Sequence, residues 1–219
     1  MIRAVVFDRD GTIIDYSGML IAFIQDLYVR AGLEPPGKED VFDSDFWSKV
    51  IKGMKVGEVK VREVINQAPR LYMEYSKVYP GVADALRTLD EKGILLALVS
   101  GWLGTESTRK FLEKIGLQKY FQVILTCDDL GIGEAKLDIF SQYLSYKETL
   151  IKMALQNMGV LATEAAIVGD SPEDVRAGKN LGCRTVAIMT PEALYREKQL
   201  LLEKPDLVIQ SLLELPEKI

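Results

Sequence analysis

The 219-residue chain contains no histidine. That absence removes serine–histidine–aspartate and cysteine–histidine hydrolysis, and every histidine-ligated zinc or iron centre, from the chemistry open to it. Cysteine is scarce too: Cys127 and Cys183 stand far apart, which reads as two reduced thiols rather than a disulfide framework. No apolar run reaches the length of a membrane span. Met1 to Val5 leads straight into a candidate strand and leaves no room for a signal peptide, so a cytoplasmic protein without membrane contact is expected. There is no basic stripe, and a net charge of −5 speaks against nucleic acid as a partner. Internal repeats and low-complexity tracts are missing. What remains for chemistry is carboxylate, lysine, hydroxyl, backbone amide and an oxygen-bound metal.

Against these absences stand 48% hydrophobic and 27% charged residues, the balance of an ordinary globular chain able to build one full core, with or without a smaller satellite. The stretch that organises the rest is Val5-Val6-Phe7-Asp8-Arg9-Asp10-Gly11-Thr12. Ala4 to Phe7 reads as a buried strand, cut off by two aspartates one residue apart. Carboxylates at i and i+2 point the same way, and like charges so close call for a bridging cation. Magnesium, which takes one or two carboxylates together with phosphate oxygens and water, fits that need. Gly11 permits a sharp turn whose amides face an anion.

After Asp15 the pattern changes. Ser17 is placed to cap a helix with Leu20, Phe23, Ile24 and Leu27 on its apolar face. Further helices are expected around Phe46 to Ile51, from Val59 to Ile65, and from Leu71 to Val78. Four helices with no strand between them make residues 16–79 a separate inserted unit. From Gly81 onward strands and helices alternate, with strands at Ile94 to Val99, Val123 to Leu125, Ala166 to Val168, Thr185 to Ile188 and Asp206 to Ile209. Helices are expected between them, including Glu148 to Met158 and a last one near Pro191 to Glu203. This alternation predicts a Rossmann-like α/β fold, a parallel sheet with helices on both faces, made from residues 1–15 and 80–219. In such sheets a ligand sits beyond the carboxyl ends of the strands. Three ends deliver polar groups there: Asp8 and Asp10, then Ser100-Gly101, then Gly169-Asp170-Ser171-Pro172-Glu173-Asp174. The last run is also a good helix start, so Asp174 has a capping role to play whatever else it does.

These motifs together resemble the haloacid dehalogenase superfamily, mostly magnesium-dependent phosphatases. The likeness covers the whole core, including Tyr79-Pro80-Gly81-Val82 and Pro205-Asp206-Leu207-Val208-Ile209, and the inserted unit falls where many members carry an all-helical cap. The resemblance implies Asp8 as nucleophile and Asp10 as general acid and base. It implies a magnesium site at Asp8, Asp10 (through its main-chain carbonyl) and Asp170, with Thr12 and Asp174 supporting, and a phosphate held by Ser100, Gly101 and a lysine. No lysine ahead of the Gly169-Asp170 strand is followed by proline as the family's is, which leaves Lys147, at the opening of the helix that ends at Gly159, ahead of Lys136 in the long loop. Substrate identity is expected to reside in cap residues such as Phe23, Tyr28, Trp47 and Lys52, with Trp102 near the entrance. The expected protein is a monomeric or homodimeric phosphatase for a small phosphorylated metabolite, working through an aspartyl-phosphate. A sugar phosphomutase on the same scaffold and a non-catalytic binding protein of the same fold are the alternatives.

Overall fold

Five consecutive buried residues, Ala4–Asp8, form strand β1 at the centre of the sheet in the computed structural model, which describes residues 1–133, 137–194 and 196–219. The short β2 (Ile14–Asp15) leads to helices α1 (Ser17–Arg30), α2 (Lys38–Phe42) and α3 (Ser44–Ile51). A hairpin of β3 (Lys55–Val56) and β4 (Val59–Lys60) precedes α4 (Val61–Val64), α5 (Ala68–Tyr72) and β5 (Lys77–Val78). The alternating part follows: α6 (Val82–Glu91), β6 (Leu95–Ser100), α7 (Thr105–Lys114), β7 (Val123–Thr126) and α8 (Tyr143–Met158). It continues with β8 (Ala165–Gly169), α9 (Pro172–Leu181), β9 (Arg184–Ile188), α10 (Pro191–Leu194), α11 (Glu197–Leu202), β10 (Leu207–Ile209) and α12 (Leu215–Lys218).

Six strands pair in the order β10-β9-β8-β1-β6-β7, all parallel. The alternation of side chains along β1 assigns its two faces. Val5 and Phe7 join Leu96, Leu98, Val168 and the α6 residues Leu86 and Leu89 on one side. Ala4 and Val6 join Ala97, Val99, Ile167 and the α8 residues Leu150 and Ile151 on the other. Both faces are therefore covered by helices, as a parallel sheet requires. β1 lies between β8 and β6, which the chain reaches in opposite directions, so β1 marks the switch point where a crevice opens beyond the strand ends.

The stretch between β2 and β5 departs from the sequence expectation in several places. It is mostly helical rather than all-helical. Val59 begins as a strand, because Gly57-Glu58 forms a two-residue turn that pairs Val56 with Val59, Gly57 taking a positive φ of 58°. The helix expected from Leu71 to Val78 ends at Tyr72, passes through one 3₁₀ turn at Met73–Tyr75 and gives way to β5. The Ser17 hydroxyl does not cap α1: Tyr16 holds the cap position without a side-chain bond, and Asp15 Oδ1, one residue further out, accepts the Ser17 N–H at 2.9 Å. β2 and β5 pair antiparallel, Ile14 opposite Val78 and Asp15 opposite Lys77. The chain thus leaves the sheet and returns to it along one two-stranded ribbon. A second difference lies in the core, where α8 starts at Tyr143, so Lys147 sits in its second turn rather than opening it. The last expected helix, near Pro191 to Glu203, is split into α10 and α11. None of the described helices is long and apolar enough to cross a membrane.

Candidate active site

Asp8 ends β1 with its side chain buried, 2% exposed. The Lys147 ammonium contacts its Oδ1 and also lies 2.7 Å from Asp174 Oδ1. Lys147 reaches this point from α8, which packs along the sheet face under β1, and it is wholly buried. Asp174 divides its duties between its two oxygens. Oδ2 accepts from the Ser171 amide at 3.1 Å and hydroxyl at 2.6 Å, closing the start of α9, while Oδ1 faces Lys147. Asp170, just past β8, accepts from Thr12 Oγ1 at 3.2 Å and from Arg196 Nη2 at 3.1 Å.

Carboxylate oxygens of Asp8, Asp170 and Asp174 lie within 4.8 Å of one another, all buried. This donor set is hard oxygen throughout, the chemistry a divalent magnesium-like cation prefers. Asp174, read from the sequence as a supporting residue, stands in this cluster. The Asp10 side chain does not: its carboxylate is gripped by Arg9, with Nε 3.0 Å from each oxygen and Nη2 2.8 Å from Oδ2, and it accepts from Ser100 Oγ at 2.8 Å. Two glycines make the close packing possible. A Cβ on Gly11, which has a φ of 89°, would stand 2.4 Å from Asp170 Oδ2. A Cβ on Gly169 would stand 2.2 Å from Asp174 Cγ.

Gly101 lies against Tyr143, where a Cβ would meet the ring at 2.4 Å, and the Lys147 ammonium sits 5.3 Å from that ring's centroid. Ser100 is fully buried, and besides donating to Asp10 its Oγ accepts the Trp102 N–H at 3.1 Å. The rival lysine, Lys136, lies outside the described residues. Two cations that the structure brings to this site were not singled out from the sequence. Arg9 is wholly buried and ties Asp10 to Thr108 Oγ1 (2.8 Å) and the Leu103 carbonyl (3.1 Å). An arginine between two aspartates at the end of an apolar strand was a readable sign of a buried cation with a carboxylate partner. Arg196 looks in sequence like one of several charges on a solvated helix end.

Charge in this cluster is out of balance. Burial pushes the Asp8 carboxyl well above the ordinary carboxylate range, with Lys147 working against that shift and Asp174, Asp170 and Asp10 adding to it. Burial likewise pushes Asp170 up to about 7, Arg196 opposing. For Lys147 burial disfavours the charged form, but Asp174 and Asp8 more than offset it and hold the ammonium protonated. The buried carboxyls of Asp8 and Asp170 therefore keep protons that the unfolded chain would release near pH 4. The folded state then binds more protons than the unfolded one between pH 4 and about 7, so stability falls as pH rises through that window. In EDTA the melting temperature should decline from pH 5 to pH 7.5, and magnesium should remove most of the decline. A metal-free melting temperature that stays level or rises over that range would contradict the charge assignment.

A cleft of about 870 Å³ runs past this site, lined by Tyr16, Trp47, Lys52, Trp102, Phe140 and Arg196 among others. Of the four residues expected to carry substrate identity, Trp47 and Lys52 line it. Phe23 is buried instead, its ring edge-on to Tyr72 at 5.8 Å, and neither it nor Tyr28 faces this cleft.

The model of the haloacid dehalogenase-like hydrolases matches residues 5–188. A phosphoglycolate phosphatase from Aquifex aeolicus (strain VF5) is 30% identical over 194 residues, spanning 84% of this chain and 83% of that protein. Pyrophosphatase PpaX from Halalkalibacterium halodurans is 24% identical over 218 residues, spanning 98% of this chain and 95% of its own length. Among solved structures, the HAD phosphatase from Thermococcus onnurineus superposes with a TM-score of 0.66 at 24% identity, covering 99% of this chain and 97% of that one, a likeness of fold. With a family match that takes in β1, the Gly169-Asp170 turn and every strand between them, the chain belongs to the haloacid dehalogenase-like hydrolases and, within them, with the phosphatases.

Proposed function

We propose that this phosphatase hydrolyses small phosphomonoesters with the help of magnesium, through an aspartyl-phosphate formed on Asp8. The observation that carries this reading is the Asp8 carboxylate itself, buried at a strand end between the Lys147 ammonium and the carboxylates of Asp170 and Asp174. A carboxylate held there, beside cationic groups able to receive a phosphoryl anion, is a nucleophile prepared for attack on phosphorus. Asp8, Asp170 and Asp174 are the side chains that would hold the metal, which neutralises charge between nucleophile and phosphoryl group.

In the first half of the reaction an Asp8 oxygen bonds to phosphorus, the phosphorus–oxygen bond to the leaving group breaks, and Asp10 gives that oxygen a proton. In the second half water attacks phosphorus, its proton passes to Asp10, and the bond to Asp8 breaks to release phosphate. Both Asp10 oxygens are engaged by Arg9 in the structure, so Asp10 must turn out of that grip to meet the leaving oxygen. Lys147, Ser100 and Gly101 line the place where the phosphoryl oxygens would lie. Residues 16–79 act as a cap over the strand ends, with 1–15 and 80–219 as the catalytic core, so that water is excluded while the phosphoryl group is transferred.

The direct test is phosphate release from para-nitrophenyl phosphate by the whole chain, with magnesium or with EDTA. Chelation should lower the rate at least about a hundred-fold, the scale of a lost electrostatic clamp on the phosphoryl group. Equal rates in magnesium and EDTA would rule the metal out of the chemistry. Absence of turnover together with failure to trap beryllofluoride on Asp8 would end the phosphatase reading for this site.

A further inference from the structure

Arg196 holds the buried carboxylate of Asp170 with a single contact, Nη2 to Oδ2 at 3.1 Å. The two partners differ in surroundings: the Asp170 side chain is 1% exposed, the Arg196 side chain 44%. Arg196 lies between α10 and α11, on the rim of the cleft that also presents Trp47, Lys52 and Trp102. A guanidinium offers a planar fork that matches a carboxylate with two parallel hydrogen bonds, and here only one is made. Lys147, by contrast, is wholly enclosed and committed to Asp8 and Asp174. Of the two cations touching the acidic cluster among the described residues, Arg196 is the one that faces the space where an organic group would sit.

We propose that Arg196 is a specificity-determining residue that reads a carboxylate on the organic part of the substrate, exchanging Asp170 for that group. The proposal rests on the phosphatase reading above and names what that reading leaves open. The exchange is like for like. The fork gives up one carboxylate oxygen and gains a whole carboxylate, while Asp170 would be left to hold a divalent cation together with Asp8 and Asp174. No charge is stranded, because Asp170 gains its new partner as it loses the old one. Since Asp170 and Asp8 belong to one cluster, the carboxylate read in this way must lie close to the phosphate ester, within the span of a short organic acid.

The test compares two esters of equal carbon count, 2-phosphoglycolate and ethyl phosphate, by calorimetric titration in magnesium into the full chain carrying Asp8→Asn. The carboxylate-bearing ester should bind at least about ten-fold more tightly, the scale of a charge-assisted bidentate pair. Adding Arg196→Gln should bring the ratio below about three by weakening 2-phosphoglycolate, and Arg196→Lys should restore part of it. Magnesium alone, titrated into the Arg196→Gln protein, should bind at least as tightly as to the parent, since arginine and cation compete for Asp170. A ratio that Arg196→Gln leaves unchanged, equal weakening of both esters, or weakened magnesium binding each overturns the proposal, the last two by showing a merely structural hold on Asp170. Wild-type turnover of para-nitrophenyl phosphate, run alongside, separates the two readings. Turnover with an indifferent ratio sinks the Arg196 assignment alone, whereas an Arg196-dependent ratio with neither turnover nor beryllofluoride trapped on wild-type Asp8 sinks the phosphatase reading alone.

Discussion

Asp8→Asn should reduce phosphate release at least about a thousand-fold while leaving the fold intact. The size follows from losing a covalent route: an amide oxygen is a far poorer nucleophile than a carboxylate, and only positioning and charge stabilisation remain. Preservation of the fold follows from the geometry. Asparagine has the same shape, and Lys147 keeps its 2.7 Å contact with Asp174 after the charge on Asp8 is gone. The change also removes one of three like charges crowded into a buried site, so the metal-free melting temperature should not fall. Rate and melting temperature are to be measured on the same preparation. A variant that keeps more than a tenth of wild-type turnover would remove Asp8 from the nucleophile's role.

The second large effect belongs to Lys147. Lys147→Met fills similar volume but leaves Asp8 and Asp174 buried together without their ammonium, and breaking a buried pair from one side costs about 3–5 kcal/mol. For a chain of this size that corresponds to a fall in melting temperature of roughly 6–20 °C. The same change removes a cation from the phosphoryl site, so turnover should drop at least about a hundred-fold. Magnesium should recover part of the stability and little of the rate. Because the cost comes from stranded carboxylates, the double variant Lys147→Met with Asp174→Asn should be more stable than Lys147→Met alone. If the double variant is the weaker of the two, the charge argument for this lysine is wrong.

Much of this architecture could be read from the chain because parallel strands advertise themselves. Apolar runs of four or five residues ending in Asp8, Ser100 and Gly169-Asp170 are long enough to be unambiguous, and their ends define one edge of the sheet. The connecting stretch was harder. β3 and β4 have two residues each, too short for an alternating pattern, and only the Gly57-Glu58 pair between two valines betrayed the turn. The start of α8 was hidden because the capping residue types before it are misplaced: Asp138 accepts from the Phe140 and Ser141 amides in a turn of its own, while Gln142, directly before Tyr143, makes no side-chain cap. Lys147 could be singled out by its place near the start of the helix that ends at Gly159, but not its burial, which depends on α8 lying against the sheet. Arg196 was illegible for a different reason: 26 positions separate it from Asp170, and only the fold brings them to 3.1 Å.

The ribbon of β2 and β5 has a consequence for how such a protein diversifies. Ile14 stands opposite Val78 and the Tyr79 N–H donates to the Ile13 carbonyl at 3.2 Å, so the sheet sees the whole intervening stretch as a closed loop with touching ends. The entropy of closing a loop grows only slowly with its length, and the ribbon meets that cost locally. Lengthening, shortening or replacing what lies between Asp15 and Lys77 therefore leaves the register of the six-stranded sheet untouched. The ribbon also springs from the turn that carries Asp10 and Gly11, whose amide bonds to the Ile14 carbonyl at 2.8 Å. Whatever is grafted there is hinged directly on that turn. On the proposed division of the chain, recognition can be rewritten as a module while the chemistry is inherited whole.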